Sequence, residues 1–143
     1  MSVGRILVPY DGSEPSRKAF QFALDIAKKY GASVTAATCI LEDNSEPEVM
    51  SPEQPQSQKT QNVAATSLIS LLEFEAREAG VKFNGLVLKT PSIVDGLLSY
   101  AENNGIDLIA MGSRGLGGFK KLLLGSVASG VSQHSKCPVL IIK

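Results

Sequence analysis

The sequence lacks tryptophan, has one histidine and two cysteines, and shows no excess of either charge. Its 143 residues carry 14 Lys and Arg against 14 Asp and Glu, so no net field attracts nucleic acid or an anionic membrane. The longest apolar runs, such as Val139 to Ile142, are far shorter than the roughly 18 residues that indicate a membrane span. These features exclude a membrane span and a strongly charged protein, and the length predicts one globular domain over residues 1–143.

The two cysteines, Cys39 and Cys137, each lie within an apolar, strand-like segment. Buried thiols are therefore more plausible than a disulfide, as in proteins of reducing compartments. No basic stretch followed by a longer apolar segment comes after Met1, so a secretory signal is not visible. We expect a cytoplasmic protein.

Five apolar, β-rich runs alternate with four segments of helical pattern. The strands are predicted at Arg5 to Pro9, Val34 to Leu41, Lys82 to Leu88, Ile106 to Met111 and Val139 to Ile142. The helices are predicted at Glu14 to Tyr30, Lys59 to Ala79, Ser92 to Asn104 and Ser126 to His134. This alternation predicts right-handed crossovers and a doubly wound parallel sheet.

The segment from Glu42 to Gln58 has a different composition, with five acidic residues, three prolines and no Lys or Arg. It predicts a polar, mobile loop. The two interpretations are a passive surface insertion, which is favoured, and a lid over a ligand.

The order of winding predicts where a ligand binds. If the chain winds outward through three strands and then returns, the fourth strand lies beside the first, in the order 3-2-1-4-5. Ligands of such sheets bind beyond the carboxyl ends of the strands where the winding reverses. That position falls at Asp11 and Gly112.

A glycine-rich segment follows the fourth strand, from Met111 to Gly118, and Gly125-Ser126 begins the last helix. Glycines let backbone N–H groups approach phosphate oxygens, and the start of a helix favours an anion. The glycines could equally serve turns alone, and spacing does not separate these alternatives. A Walker A loop is excluded because Phe119-Lys120-Lys121 follows Gly118 where Gly-Lys-Ser/Thr is needed.

The pattern Gly112-x-x-Gly115, nine residues, then Gly125-Ser126 resembles the nucleotide-binding signature of the universal stress protein family. The likeness extends to the opening Ile6 to Ser13 and the ending Cys137 to Ile142. It implies the ATP-binding subgroup and a five-stranded, Rossmann-like fold of the adenine nucleotide alpha hydrolase type. It also implies ATP, or ADP or AMP, as ligand, with Mg²⁺ carried on the phosphates.

The resemblance assigns roles to individual residues. Pro9 and Asp11 match the end of the family's first strand, where the Asp approaches the ribose, and Cys39 and Met111 match the adenine pocket. The glycine loop and helix start match positions near ribose and phosphates: Gly112, Gly115, Gly125, Ser126 and Val127, with Ser113 and Ala128 as weaker candidates. The chain departs from the family at Thr38, where a histidine is frequent, and at Lys89, where a glycine is frequent.

The expected function is an ATP-binding sensor or regulator of the stress response, a homodimer through the strand Val139 to Ile142. No catalytic residue is predicted, because the single histidine, His134, forms no evident set with a nucleophile and an acid. Two alternatives stay open: a slow ATPase that uses the same pocket, and a protein-interaction dimer that binds no nucleotide. A protein partner is expected without an identity, and neither nucleic acid nor membrane is expected.

Overall fold

The computed structural model describes residues 2–42, 56–115 and 124–143, and it contains five strands and four helices in strict alternation. In chain order the elements are β1 (Arg5–Pro9), α1 (Glu14–Tyr30), β2 (Ser33–Leu41), α2 (Gln56–Glu78), β3 (Phe83–Thr90), α3 (Ile93–Asn103), β4 (Leu108–Gly112), α4 (Ser126–His134) and β5 (Val139–Ile142).

The strands form one parallel sheet in the order β3-β2-β1-β4-β5, which confirms the predicted topology. The central strand β1 pairs with β2 on one side, with Ile6 opposite Val34, and with β4 on the other, with Ile6 opposite Leu108. The winding direction therefore reverses between β1 and β4. The carboxyl ends of these two strands form the crevice in which doubly wound sheets bind ligands.

Side chains alternate between the two faces of the sheet and create two apolar layers. Ile6, Val8 and Val34 point toward the layer that contains Phe20 of α1 and Leu72 of α2. The odd-numbered residues of the same strands point to the opposite layer, which holds residues of α3 and α4. Because both faces are covered, the strands are apolar without alternation, as expected for a parallel sheet.

Helix α1 shows how local signals fix the element that leads away from β1. The Ser13 hydroxyl accepts a hydrogen bond from the Ser16 N–H, and Pro15 occupies the first turn, where its missing N–H costs nothing. At the other end Gly31 adopts the left-handed conformation, with φ 69°, and its N–H bonds to the Ala27 carbonyl. The predicted bounds of this helix are confirmed.

The predicted polar loop over 42–58 is wrong at its end, because α2 begins at Gln56. Residues 56–58 are Gln-Ser-Gln, and glutamine favours a helix even where no apolar stripe marks it. The part of the predicted loop at residues 43–55 lies outside the described residues. So do Gly117 and Gly118 of the glycine-rich segment.

Strand β4 begins at Leu108, two residues later than predicted. The Ile106 N–H is used to terminate α3, donating to the Ala101 carbonyl at 3.0 Å, while Gly105 turns through φ 63°. Within the described ranges, no helix combines the length and the hydropathy needed to cross a bilayer.

Candidate functional site

A cavity of about 490 Å³ lies at the carboxyl ends of β1 and β4, where the winding direction reverses. All ten residues predicted as binding residues line it, as does Ala128, a weaker candidate. The predicted residues on its wall are Pro9, Asp11, Cys39, Met111, Gly112, Ser113, Gly115, Gly125, Ser126 and Val127. Four separate chain segments therefore meet at one place.

The wall formed by the end of β1 is held in place by β2. The Thr38 hydroxyl donates to the Tyr10 carbonyl at 2.9 Å, and the Tyr10 N–H donates to the Ala37 carbonyl at 2.9 Å. Thr38, one of the departures from the family pattern, thus fixes the segment that carries Asp11. This hydroxyl is buried and satisfied, so it serves the wall and not a ligand.

Asp11 lies on the cavity wall, as the family resemblance implies, and it also has a structural role in the turn that follows β1. Its Oδ1 accepts a hydrogen bond from the Ser13 N–H at 2.9 Å, which organises the turn into α1. Its Oδ2 faces Gly115, since a Cβ built on Gly115 would lie 2.7 Å from that oxygen. The carboxylate therefore lies between the turn and the glycine loop, on the wall of the cavity.

The end of β4 approaches α1 so closely that only glycine fits at position 112. A Cβ there would lie 2.7 Å from the Pro15 Cβ and 2.8 Å from the Ser16 backbone nitrogen. Gly112 therefore has a packing role as well as its place on the cavity wall. The turn-forming and ligand-approach interpretations of the glycines are not exclusive at this residue.

The first turn of α4 forms the polar end of the cavity. Gly125 is the N-cap, and because it has no side chain it makes no side-chain cap hydrogen bond. Ser126 and Val127 follow it on the cavity wall. The amide groups and the helix dipole at this end favour an anion.

The opposite end of the cavity is apolar. Cys39 and Met111 lie there with Ala37 from β2 and with Ile93 and Leu97 from α3. Burial raises the pKa of the Cys39 thiol from 9.0 to about 11, so the side chain is a neutral, weakly polar surface near pH 7. Both cysteines are free thiols, as predicted, but each is partly and not fully buried.

Several residues on the cavity wall were not predicted from the sequence. Ile93 and Leu97 are one turn apart on α3, but their place over the cavity depends on how α3 packs on the sheet. Arg114 follows the predicted binding residue Ser113; it also lines the cavity and is half-buried. The remaining additions are Tyr10, Ser16 and Ala37.

The charged side chains on the described wall are Asp11 and Arg114. In the described part of the chain, His, Cys, Asp and Glu side chains form no group of three or more that could hold a metal ion. The cavity therefore offers an apolar end, a single carboxylate with a guanidinium nearby, and a helix start with glycine amides. Such an arrangement suits a flat apolar group joined to a polar, anionic one.

The strand order and the position of the cavity define a doubly wound α/β protein with a candidate ligand site where the winding reverses. The family model described as the universal stress protein family matches residues 2–143. A universal stress protein of Methanocaldococcus jannaschii is 34% identical over 97% of this chain and 81% of its own length. The chain belongs to the universal stress protein family.

Solved structures agree with this assignment. Universal stress protein UspA from Lactobacillus plantarum has the same fold, with a TM-score of 0.89, 22% identity, and coverage of 100% of this chain and 99% of its own. A universal stress protein solved in complex with cAMP has a TM-score of 0.74 and 25% identity, with coverage of 99% and 98%.

Proposed function

We propose that this protein binds an adenine nucleotide, with ATP as the main ligand, in the cavity between β1 and β4. The observation that carries the proposal is that ten residues predicted from four separate segments line one cavity at the reversal of the winding. The relative solved with cAMP, an adenine nucleotide, supports the same ligand class.

The two ends of the cavity correspond to the two ends of a nucleotide. Cys39, Met111 and Ile93 offer an apolar surface for the base. Asp11 is placed for the ribose hydroxyls, which a carboxylate recognises as a hydrogen-bond acceptor. Gly115 and the start of α4 are placed for the phosphates, and any Mg²⁺ would be held on those phosphates.

The biological role we propose is that of a cytoplasmic stress-response sensor or regulator whose output is occupancy of the site. The family assignment supports the connection with stress response. If the protein releases phosphate from ATP, and substitution of Ser126 stops that release, the protein is a slow ATPase and this proposal is wrong.

We also propose a homodimer through β5, which is an edge strand of the described sheet. The Pro138 and Ile142 carbonyls accept hydrogen bonds from the N–H groups of Ile109 and Ser113. By the alternation of a parallel ladder, the backbone groups of Val139 and Ile141 therefore face the free edge. An uncovered edge of apolar residues is a site for strand pairing. A second copy in two-fold symmetry would cover it.

The test of nucleotide binding is calorimetric titration of nucleotide-stripped protein with ATP, AMP and GTP in the presence of Mg²⁺. We expect saturable ATP binding at about one site per chain, weaker for GTP because the base contacts differ. No heat and no thermal shift with any of the three nucleotides would remove the proposal and favour a protein-interaction dimer.

A further inference from the structure

One residue connects the end of β5 with the start of α4. The Ser113 N–H donates to the Ile142 carbonyl at 2.7 Å, and the Ser113 carbonyl accepts from the Gly125 N–H at 2.7 Å. Both distances are at the short end of the range for N–H···O hydrogen bonds. Ser113 therefore holds the last residue of β5 and the N-cap of α4 in one backbone chain of hydrogen bonds.

The side chain of Ser113 is a buried donor on the cavity wall. The residue is only 2% exposed, and it lines the cavity. A serine hydroxyl can donate a hydrogen bond to an oxygen atom of a ligand in that cavity.

The Ile142 carbonyl accepts its hydrogen bond just beyond the carboxyl end of β4. The β4–β5 pairing ends with Gly112 opposite Ile142, and Ser113 is the next residue. The hydrogen bond from Ser113 to Ile142 thus extends the ladder by one step beyond β4. This hydrogen bond fixes the orientation of the Ser113 backbone. Because the Ser113 carbonyl accepts a hydrogen bond from the Gly125 N–H, it also fixes the position of the N-cap of α4.

We propose that Ile142 is a positioning residue of the nucleotide site, although it does not line the cavity. Its carbonyl orients Ser113 so that the Ser113 hydroxyl and the first amides of α4 converge on one phosphate group. The inference rests on the proposed function, because it assigns the phosphate end of the same site. It also makes the C-terminal end of β5 a determinant of phosphate affinity.

The test compares two shortened chains. A chain that ends at Ile141 lacks the carbonyl of residue 142, whereas a chain that ends at Ile142 keeps an oxygen at that position. AMP and adenosine are titrated into each, and the readout is the ratio of their dissociation constants, which isolates the contribution of the phosphate. We expect the chain ending at Ile141 to lose about tenfold of the AMP preference, as for one hydrogen bond to a charged group, while adenosine affinity stays the same.

A second pair of variants serves if the shorter chain does not fold. Ser113→Pro removes the N–H that donates to Ile142, whereas Ser113→Ala keeps that N–H and removes only the hydroxyl. We expect Ser113→Pro to lower the AMP preference more than Ser113→Ala does. Leu72→Ala is the control for general destabilisation, because Leu72 is fully buried in the other layer of the core. It should lower stability and leave the ratio unchanged.

The outcomes separate the two proposals. If the wild type binds AMP and the chain ending at Ile141 keeps the wild-type ratio, Ile142 does not position the site, and the proposed function stands. Equal ratios for Ser113→Pro and Ser113→Ala would likewise overturn the positioning role. If the wild type binds neither AMP nor ATP, the proposed function fails and the positioning role fails with it.

Discussion

Adding one methyl group at Gly115 should weaken nucleotide binding without unfolding the protein, whereas the same methyl at Gly112 should destabilise the fold. Both glycines belong to the same signature, and neither has a positive φ, so alanine is compatible with the backbone at both positions. The difference comes from what the new Cβ would meet.

At Gly115 the new methyl would lie 2.7 Å from Oδ2 of Asp11, and the next nearest atom is Cγ of Asp11 at 4.0 Å. The end of one side chain can move aside more readily than backbone can, but the movement disturbs the hydrogen bond that Asp11 Oδ1 accepts from the Ser13 N–H. We therefore expect the free energy of unfolding to fall by about 1 kcal/mol. In the proposed binding mode, moving the carboxylate would remove a hydrogen bond to the ribose, which would be worth about 1.5–3 kcal/mol. AMP affinity should therefore fall about ten- to hundredfold.

At Gly112 the new methyl would meet backbone as well as side chain, including the carbonyl carbon of Pro15 and the backbone nitrogen of Ser16, both at 2.8 Å. These atoms belong to the first turn of α1 and cannot rotate away. The strand or the helix must shift, and such overpacking costs about 1–3 kcal/mol.

The assay is urea unfolding followed by circular dichroism, since the chain has no tryptophan, together with calorimetric titration of AMP. Gly112→Ala should lower the unfolding midpoint more than Gly115→Ala does, and Gly115→Ala should lose affinity. The reasoning is refuted if Gly112→Ala unfolds at the wild-type urea concentration, or if Gly115→Ala binds AMP as the wild type does.

Three further predictions concern other walls of the site and the sheet edge. Ser126→Asp should abolish AMP binding but not adenosine binding, because a carboxylate at the start of α4 takes the place of the phosphate. Ser132→Asp, late in the same helix, is the control, and titrations of both ligands into it should be unchanged. Burial raises the pKa of the Cys39 thiol from 9.0 to about 11, so the stability that the protonated thiol contributes should be complete below pH 9 and lost as the pH rises through 11. In urea unfolding, the free energy of unfolding of the wild type should therefore decrease relative to that of Cys39→Val over this pH interval. Parallel pH profiles of the two proteins would contradict the burial of the thiol. Ile141→Pro should prevent dimer formation in sedimentation experiments while Ile141→Ala, which keeps the N–H, should not; equal sedimentation of the two variants would exclude pairing through β5.

Local signals in the sequence predicted the elements that lead to the site. Ser13, Pro15 and Gly31 fix the ends of α1, and their effects act within a few residues, so they can be recognised without tertiary structure. The same holds for the position of Asp11, which follows from the end of β1 and the reversal of winding. The resemblance to the family then selected the residues that line the cavity.

Other features could not be predicted, either because the local sequence carries no signal or because they depend on contacts between distant segments. The start of α2 at Gln56 was missed because no apolar periodicity marks residues 56–58. The tight fit of Gly112 against α1 and the hydrogen bond from Ser113 to Ile142 depend on strand register and helix placement. Sequence patterns indicate which residues reach the crevice, whereas the hydrogen bonds that orient them are set by the assembled sheet.

The most direct test of the central claim is to map backbone amide shifts by NMR while ATP and Mg²⁺ are added to the nucleotide-stripped protein. We predict saturable shifts at Asp11, Ser113, Gly115 and Ser126, which surround the cavity between β1 and β4, with α2 and β3 unchanged. Shifts confined to another surface, or no shifts at millimolar ATP, would contradict a nucleotide site at this crevice.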